Sequence, residues 1–389
     1  MNALTAIPDP RLFPDPTRAT PAAQVLYAKA MASLAAETAL EAARLDREVQ
    51  DALAAEIGAG GAMLAATIAG APSVDVARHL WRLLDVAIRE WHQGDGVAAT
   101  IFAIPVIIVA AGKAPADGPA LQGILANTER LADILRDGGA LAGNRNFALA
   151  SALAGSDAID VERVPELLSW QGLPDGAGDS QSAGLVRTLQ PAPLAIAPDV
   201  ESVNLRFIIG TALARAGADL LADTTVGKWG MPFTQALSRE FGGEGTTVLA
   251  LPRAPQRPLP ALWQGRLAQR EVSASLFIGN AVRKHRASVG EPTAVISAHR
   301  VPGVPGEGEL RLSLSSPLEP RDAEGFRCPL YPLDRVGDAV RMLVDLLRDC
   351  QVGDVRLLAG VHGDRDPKSG IRLLFKPETI PPGAELLLH

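Results

Sequence analysis

The segment VAATIFAIPVIIVAAG, residues 97 to 112, constrains the fold more than any other stretch. Its sixteen uncharged residues must be hidden from water. That length falls short of the roughly 18–20 residues a helix needs to cross a bilayer. Pro105 sits mid-run, and Val106, Ile107, Ile108 and Val109 crowd β-branched side chains that a strand accommodates better than a helix. Apolar on both faces, the run reads as a strand covered on both sides.

The rest of the chain is long enough to supply that cover. Its 389 residues are 47% apolar and 21% charged, a globular balance with room for two domains. Aromatics are only 4%, so the cores must be built from Ala, Leu and Val. A formal charge of −7 excludes general nucleic-acid binding, which needs a basic field. Cys328 and Cys350 are too few for a disulfide framework or a Cys-based zinc site, and read as free thiols in a reducing cytosol. The proline-rich start, with Pro8, Pro10, Pro14, Pro16 and Pro21, lacks the apolar run of a secretory signal and reads as an extended arm. The expectation is a cytoplasmic protein without a transmembrane span.

Periodicity then orders the chain. An Ala-rich helical stretch is expected over 22–57, with Arg44–Glu48 and Arg47–Asp51 at i,i+4 spacing, ended by the glycines at 58–61. A second helix carries Val76, Leu80, Leu83, Leu84, Ala87, Ile88 and Trp91 on one stripe, capped by Ser73. A third places Leu121, Ile124, Leu125, Thr128, Leu131, Ala132 and Leu135 on one face, and helix is expected to continue through NRNFALASALAG and VERVPELLSW. Strands are expected at NLRFIIGTAL and TTVLALP, and helices at MPFTQALSREF and at residues 261–285. The final hundred residues read strand, strand, helix, strand, strand: TAVISAHR, GELRLSLSS, the helix from Asp334 (its cap) to Cys350, DVRLLAG and GIRLLFKP. The fold class is therefore α+β, a mostly helical N-terminal region followed by a mixed region ending in a ββαββ antiparallel layer. In domain terms this divides into an arm (1–21), a mainly helical domain (22–171), a Gly/Pro/Ser-rich linker or long loop (172–200), and an α+β domain (201–389).

Local chemical motifs are scarce. The Gly227–Lys228 pair fails the phosphate-loop template, because Ala222 stands where its first glycine belongs and Trp229 where Ser or Thr should follow the lysine. The six histidines show no metal-ligand spacing, and no G-x-S-x-G occurs. No catalytic residue, metal site or cofactor is assigned. Two polar clusters could contact an anion. Arg283, Lys284 and Arg286 crowd the end of a helix, where the dipole alone already favours cations. His362, Arg365 and Lys368 lie in GVHGDRDPKSGIRLLF, whose glycines, aspartates and proline also make a hairpin turn. The functional expectation is a non-catalytic structural or adaptor subunit of a larger assembly, with protein partners or self-association. The alternative is a small-anion (phosphate or nucleotide) binding enzyme or sensor, its site between the two domains and drawn from those six residues.

Overall fold

In the computed structural model the described residues are 7–13, 15–91, 97–113, 122–142, 144–168, 189–198, 200–215, 220–221, 225–288, 290–301, 307–316, 324–362, 375 and 385–388. The first helical region is four helices: α1 (Pro21–Leu34), α2 (Ala39–Gly58), α3 (Leu64–Ala69) and α4 (Val74–Glu90). The expected 22–57 stretch is split at residues 35–38. Thr20 and Thr38 each cap a new start, accepting from Ala23 N and Glu41 N at 3.2 Å. Ser73 caps α4 as expected, and the stripe from Val76 to Ile88 is buried. Arg44 pairs with Glu48 at 2.5 Å, whereas Arg47 reaches Glu90 at 2.8 Å rather than Asp51.

The apolar run is β1 (Val97–Gly112), an interior strand. It lies in a four-stranded sheet of order β2-β3-β1-β4, with β2 (Phe147–Ala154), β3 (Ser202–Arg215) and β4 (Thr246–Pro252). β1 pairs antiparallel with β3 from Val97↔Arg215 to Ala110↔Ser202, and with β4 from Val106↔Pro252 onward. Pro105 is tolerated because its missing N–H faces β4 where that ladder breaks. Beyond Pro252 the neighbour strand loops out, donates Arg253 N to Pro105 O, and pairs again at Ala103–Gln256.

Residues 147–154 correct the helical expectation. Ala and Leu favour a helix intrinsically, but FALASALA is strand β2, in a bulged antiparallel pair with β3. Phe147 meets Phe102 edge-on at 5.9 Å, and the strand's outer edge is tied to Leu125, Gly123 and Ala192. Tertiary pairing outweighs a propensity worth only tenths of a kcal/mol per residue. The helix expected from Leu121 starts only at Thr128, as α5 (Thr128–Asp137). Helix α6 is one short turn, Val164–Leu168. Helices α5 and α7 (Gly230–Phe241) cover this sheet, and Trp229, Phe233, Leu237 and Leu131 join its core. Gly112 closes β1 at φ +107, and a Cβ there would lie 2.1 Å from Gly245 O. Gly112→Ala is expected to cost about 2 kcal/mol or more, read as a lowered denaturation midpoint.

Helix α8 (Pro258–Ser288) leads into the second sheet, of order β7-β6-β5-β8-β9. Its strands are β5 (Thr293–Arg300), β6 (Gly308–Ser315), β7 (Glu324–Leu330), β8 (Asp354–His362) and β9 (Glu385–Leu388), with α9 (Val336–Asp349) between β7 and β8. The α+β class and the helical start of the chain hold. Within the layer, β7 adds a strand before the helix, and β5 runs parallel to β8 while the other pairs are antiparallel. A crossover through α9 makes that parallel pair possible. The run expected as a last strand, 370–377, lies outside the described residues except for Phe375.

By internal contacts the chain forms two units that interleave in sequence. One comprises residues 1–36, 67–80 and 270–389, the other 37–66 and 81–269. Within the first, Ala294, Ile296, Ala298, Leu310, Leu312 and Leu314 pack one sheet face against α9 and residues 274–282. The proline arm belongs to this unit. Ile7 is part of its core, Pro10 lies over Gly308, and Arg11 is buried. Arg11 donates to Tyr331 O (2.6 Å) and Asp334 O (2.7 Å). Asp334 does not cap α9, whose N-cap is Arg335. Its carboxylate accepts instead from Tyr331 N (2.7 Å) and from Arg270. Of the expected linker, residues 172–188 and 199 lie outside the described residues.

Candidate functional site

Strands β5 and β6 alternate cleanly, so their second face carries Thr293, Val295, Ser297 and His299, opposite Ser315, Ser313, Arg311 and Glu309. Such a pattern ordinarily marks a solvated face. Here every one of these residues is at most 5% exposed. Burying polar atoms is costly unless they are paired, and most of this face is. Glu309 accepts from Arg311 Nε at 2.5 Å and from Arg327 Nε at 2.7 Å. Ser297 Oγ shares a 2.8 Å hydrogen bond with His299 Nε2, and Ser313 Oγ accepts from Phe375 N at 3.1 Å.

A bulge in β8 brings His362 to this face. Ile296 is opposite Leu357 and Ala298 opposite Val361, so two steps along β5 match four along β8. Gly360 absorbs the distortion at φ +131, a conformation that costs glycine little. His299 and His362 thereby become direct cross-strand partners with ring centres 5.8 Å apart. The Phe375 ring closes the cluster, 5.6 Å from His299 and 5.0 Å from His362, and also packs with Val295 and Leu358. Burial, then the Arg311 charge and His362, pushes the His299 pKa down to about 3. Burial lowers His362 as well. His299 Nδ1 and His362 Nε2 are buried and, among the described residues, have no hydrogen-bond partner.

Ser297 and His299 look like a nucleophile and its base, but the chemistry fails on three counts. Both are sealed from solvent, no carboxylate orients Nδ1, and an imidazole titrating near 3 is too weak a base for work at neutral pH. Among the described residues no group of three or more His, Cys, Asp or Glu side chains gathers to hold a metal. Both cysteines are free, and burial pushes the Cys328 thiol up to about 12, which makes it unreactive. A small cavity of about 20 Å³ beside the Asp85–Arg257 pair, lined by Ile88, Ile101 and Leu167, has room for one water.

The six expected anion contacts fare unevenly. Arg283 is exposed on α8, Lys284 pairs with Glu324, and Arg286 pairs with Glu291 at 3.0 Å while donating to Gln351 O. His362 is the last residue of β8 and joins His299 rather than the basic cluster. Arg365 and Lys368 lie outside the described residues, as does the expected turn from Gly363 onward. The sequence reading missed Ser297, His299 and Phe375. The available signal was S-x-H within an apolar strand, which period-two geometry puts on one face. The long-range partners carried no local mark.

Compared with protein-family models, curated proteins and solved structures, the chain matches none. Among the described residues no helix is long and apolar enough to cross a membrane.

Proposed function

We propose that this chain is a non-catalytic structural or adaptor subunit of a cytoplasmic protein assembly, joined through helix α1. The supporting observation is the outer face of that helix. Its sequence, PAAQVLYAKAMASL, has Lys29 as its one charge. Ala23, Leu26, Tyr27, Ala30 and Ser33 are buried, and Tyr27 Oη donates to Thr67 O at 2.7 Å. The opposite face is just as apolar, with Val25 54%, Met31 45% and Leu34 50% exposed, and Leu12 and Phe13 are exposed shortly before it. A helix apolar all round is ordinarily buried all round, and contiguous apolar surface of this kind marks interaction sites.

Deleting the arm would be a poor test, because Ile7 and Arg11 are built into the fold. A double substitution, Val25→Glu with Met31→Glu, leaves the buried side of α1 intact. In size-exclusion chromatography with light scattering, the wild type is expected to elute as an oligomer and the variant as a monomer with an unchanged thermal midpoint. A wild type that stays monomeric at high concentration would overturn self-assembly through α1.

A further inference from the structure

We propose that His299 and His362 form a two-imidazole acceptor for a soft monovalent d10 cation, copper(I) being the one a reducing cytosol supplies. Four features point to it.

The first is the pair of unpartnered nitrogens, His299 Nδ1 and His362 Nε2, both buried. Leaving one such atom unsatisfied costs about 1–3 kcal/mol, and here two occur in adjacent rings. Aromatic packing accounts for the proximity of the rings but not for these nitrogens. The second is orientation. With the Nε2–H of His299 donated to the Ser297 hydroxyl, the lone pair is fixed on Nδ1, as metal-ligating imidazoles are fixed by a hydrogen bond at their other nitrogen. The third is spacing. A metal bound at about 2.0–2.1 Å from nitrogen lies roughly 3.2 Å from the ring centre, so two rings on one cation have centres roughly 5–6.4 Å apart. The observed 5.8 Å falls inside that range.

The fourth is the ligand set. Zinc would want four ligands and charge-neutralising groups, whereas the one nearby carboxylate, Glu309, is held by Arg311 and Arg327. A neutral, two-nitrogen, dry environment under Phe375 fits a cation that accepts low coordination and soft or borderline ligands. The low pKa values of both histidines keep the imidazoles neutral and ligand-competent at neutral pH.

The test is anaerobic titration of the full chain with copper(I) against the chromophoric chelator bicinchoninate. The wild type is expected to withdraw one equivalent, and His362→Asn none. Ser297→Ala should weaken binding about tenfold, the usual effect of losing a hydrogen bond to a ligating histidine. Cys350→Ser should change nothing, and X-ray absorption of the loaded wild type should show nitrogen rather than sulfur ligation. The proposal is overturned if the chelator keeps all the copper, if His362→Asn binds like the wild type, or if absorption shows sulfur ligands. Should His362→Asn fail to fold, the wild-type absorption spectrum and Ser297→Ala decide.

Discussion

Asp334→Asn is expected to destabilise the unit formed by residues 1–36, 67–80 and 270–389 by about 3–5 kcal/mol, the usual cost of stranding one partner of a buried ion pair. Asp334 is 3% exposed and Arg270 6%, with Nη1 and Nη2 of the arginine both directed at the carboxylate. The same carboxylate holds Tyr331 N, and the turn 331–334 is further pinned by Arg11 on Tyr331 O and Asp334 O and by Arg78 on Leu333 O. Removing one negative charge therefore leaves a buried guanidinium among carbonyls and loosens the link between the proline arm and the sheet. Urea denaturation should show a large fall in midpoint. Glu324→Gln, which breaks the more exposed pair with Lys284, should cost less than about 1 kcal/mol. Replacing both buried partners, Arg270→Met with Asp334→Leu, should recover much of the loss, because the desolvation penalty then disappears with the charges. Equal effects from Asp334→Asn and Glu324→Gln would contradict this account of the turn.

Acid should unfold the protein through His299. Its folded pKa is near 3 against an ordinary value of 6.5. Between those values the unfolded chain binds a proton that the folded chain refuses, so stability is full above pH 6.5 and falls as pH drops toward 3. At about pH 4.5 the accumulated loss from this one side chain is about 2–3 kcal/mol. The groups facing the ring explain the resistance. Arg311 repels a second cation, Glu309 is already neutralised by Arg311 and Arg327, and His362 shifts in the same direction through burial. His299→Gln keeps a polar group beside Ser297 but cannot titrate. Its stability deficit relative to the wild type, measured by denaturation near pH 7 and near pH 4.5, should shrink by that amount at the lower pH. The carboxylates that protonate in the same range cancel in this difference. A constant deficit would show that His299 is not held neutral by the fold.

These two sites illustrate how far local pattern reaches. Strand β5 is legible to the residue, Thr293 to Arg300, because one face is fully apolar and period two leaves no other way to bury it. Helices α4 and α9 are equally plain, since each concentrates its apolar residues on one stripe. β1 is legible from a different constraint, a run with no charge and no solvent-tolerant face. FALASALA was not, because alanine carries no face signal and its helical preference is weak enough for pairing with β3 to reverse it. Asp334 looked like a helix cap because caps are read from the next few residues, whereas its partner, Arg270, is distant in sequence. His362 stood out among polar neighbours as a turn residue, but its place beside His299 depends on a parallel pairing and a bulge at Gly360.

The sequence by itself determined the α+β class, the buried apolar strand, the main amphipathic helices and the scarcity of local catalytic motifs, because periodicity and residue chemistry act over a few neighbouring positions. Only the tertiary structure decided which strands pair, where the arm docks, and that Ser297, His299, His362 and Phe375 share one sealed polar face. Those outcomes depend on contacts between segments far apart in the chain, where the free energy of packing and of satisfying buried polar atoms selects among partners that local propensity leaves equal.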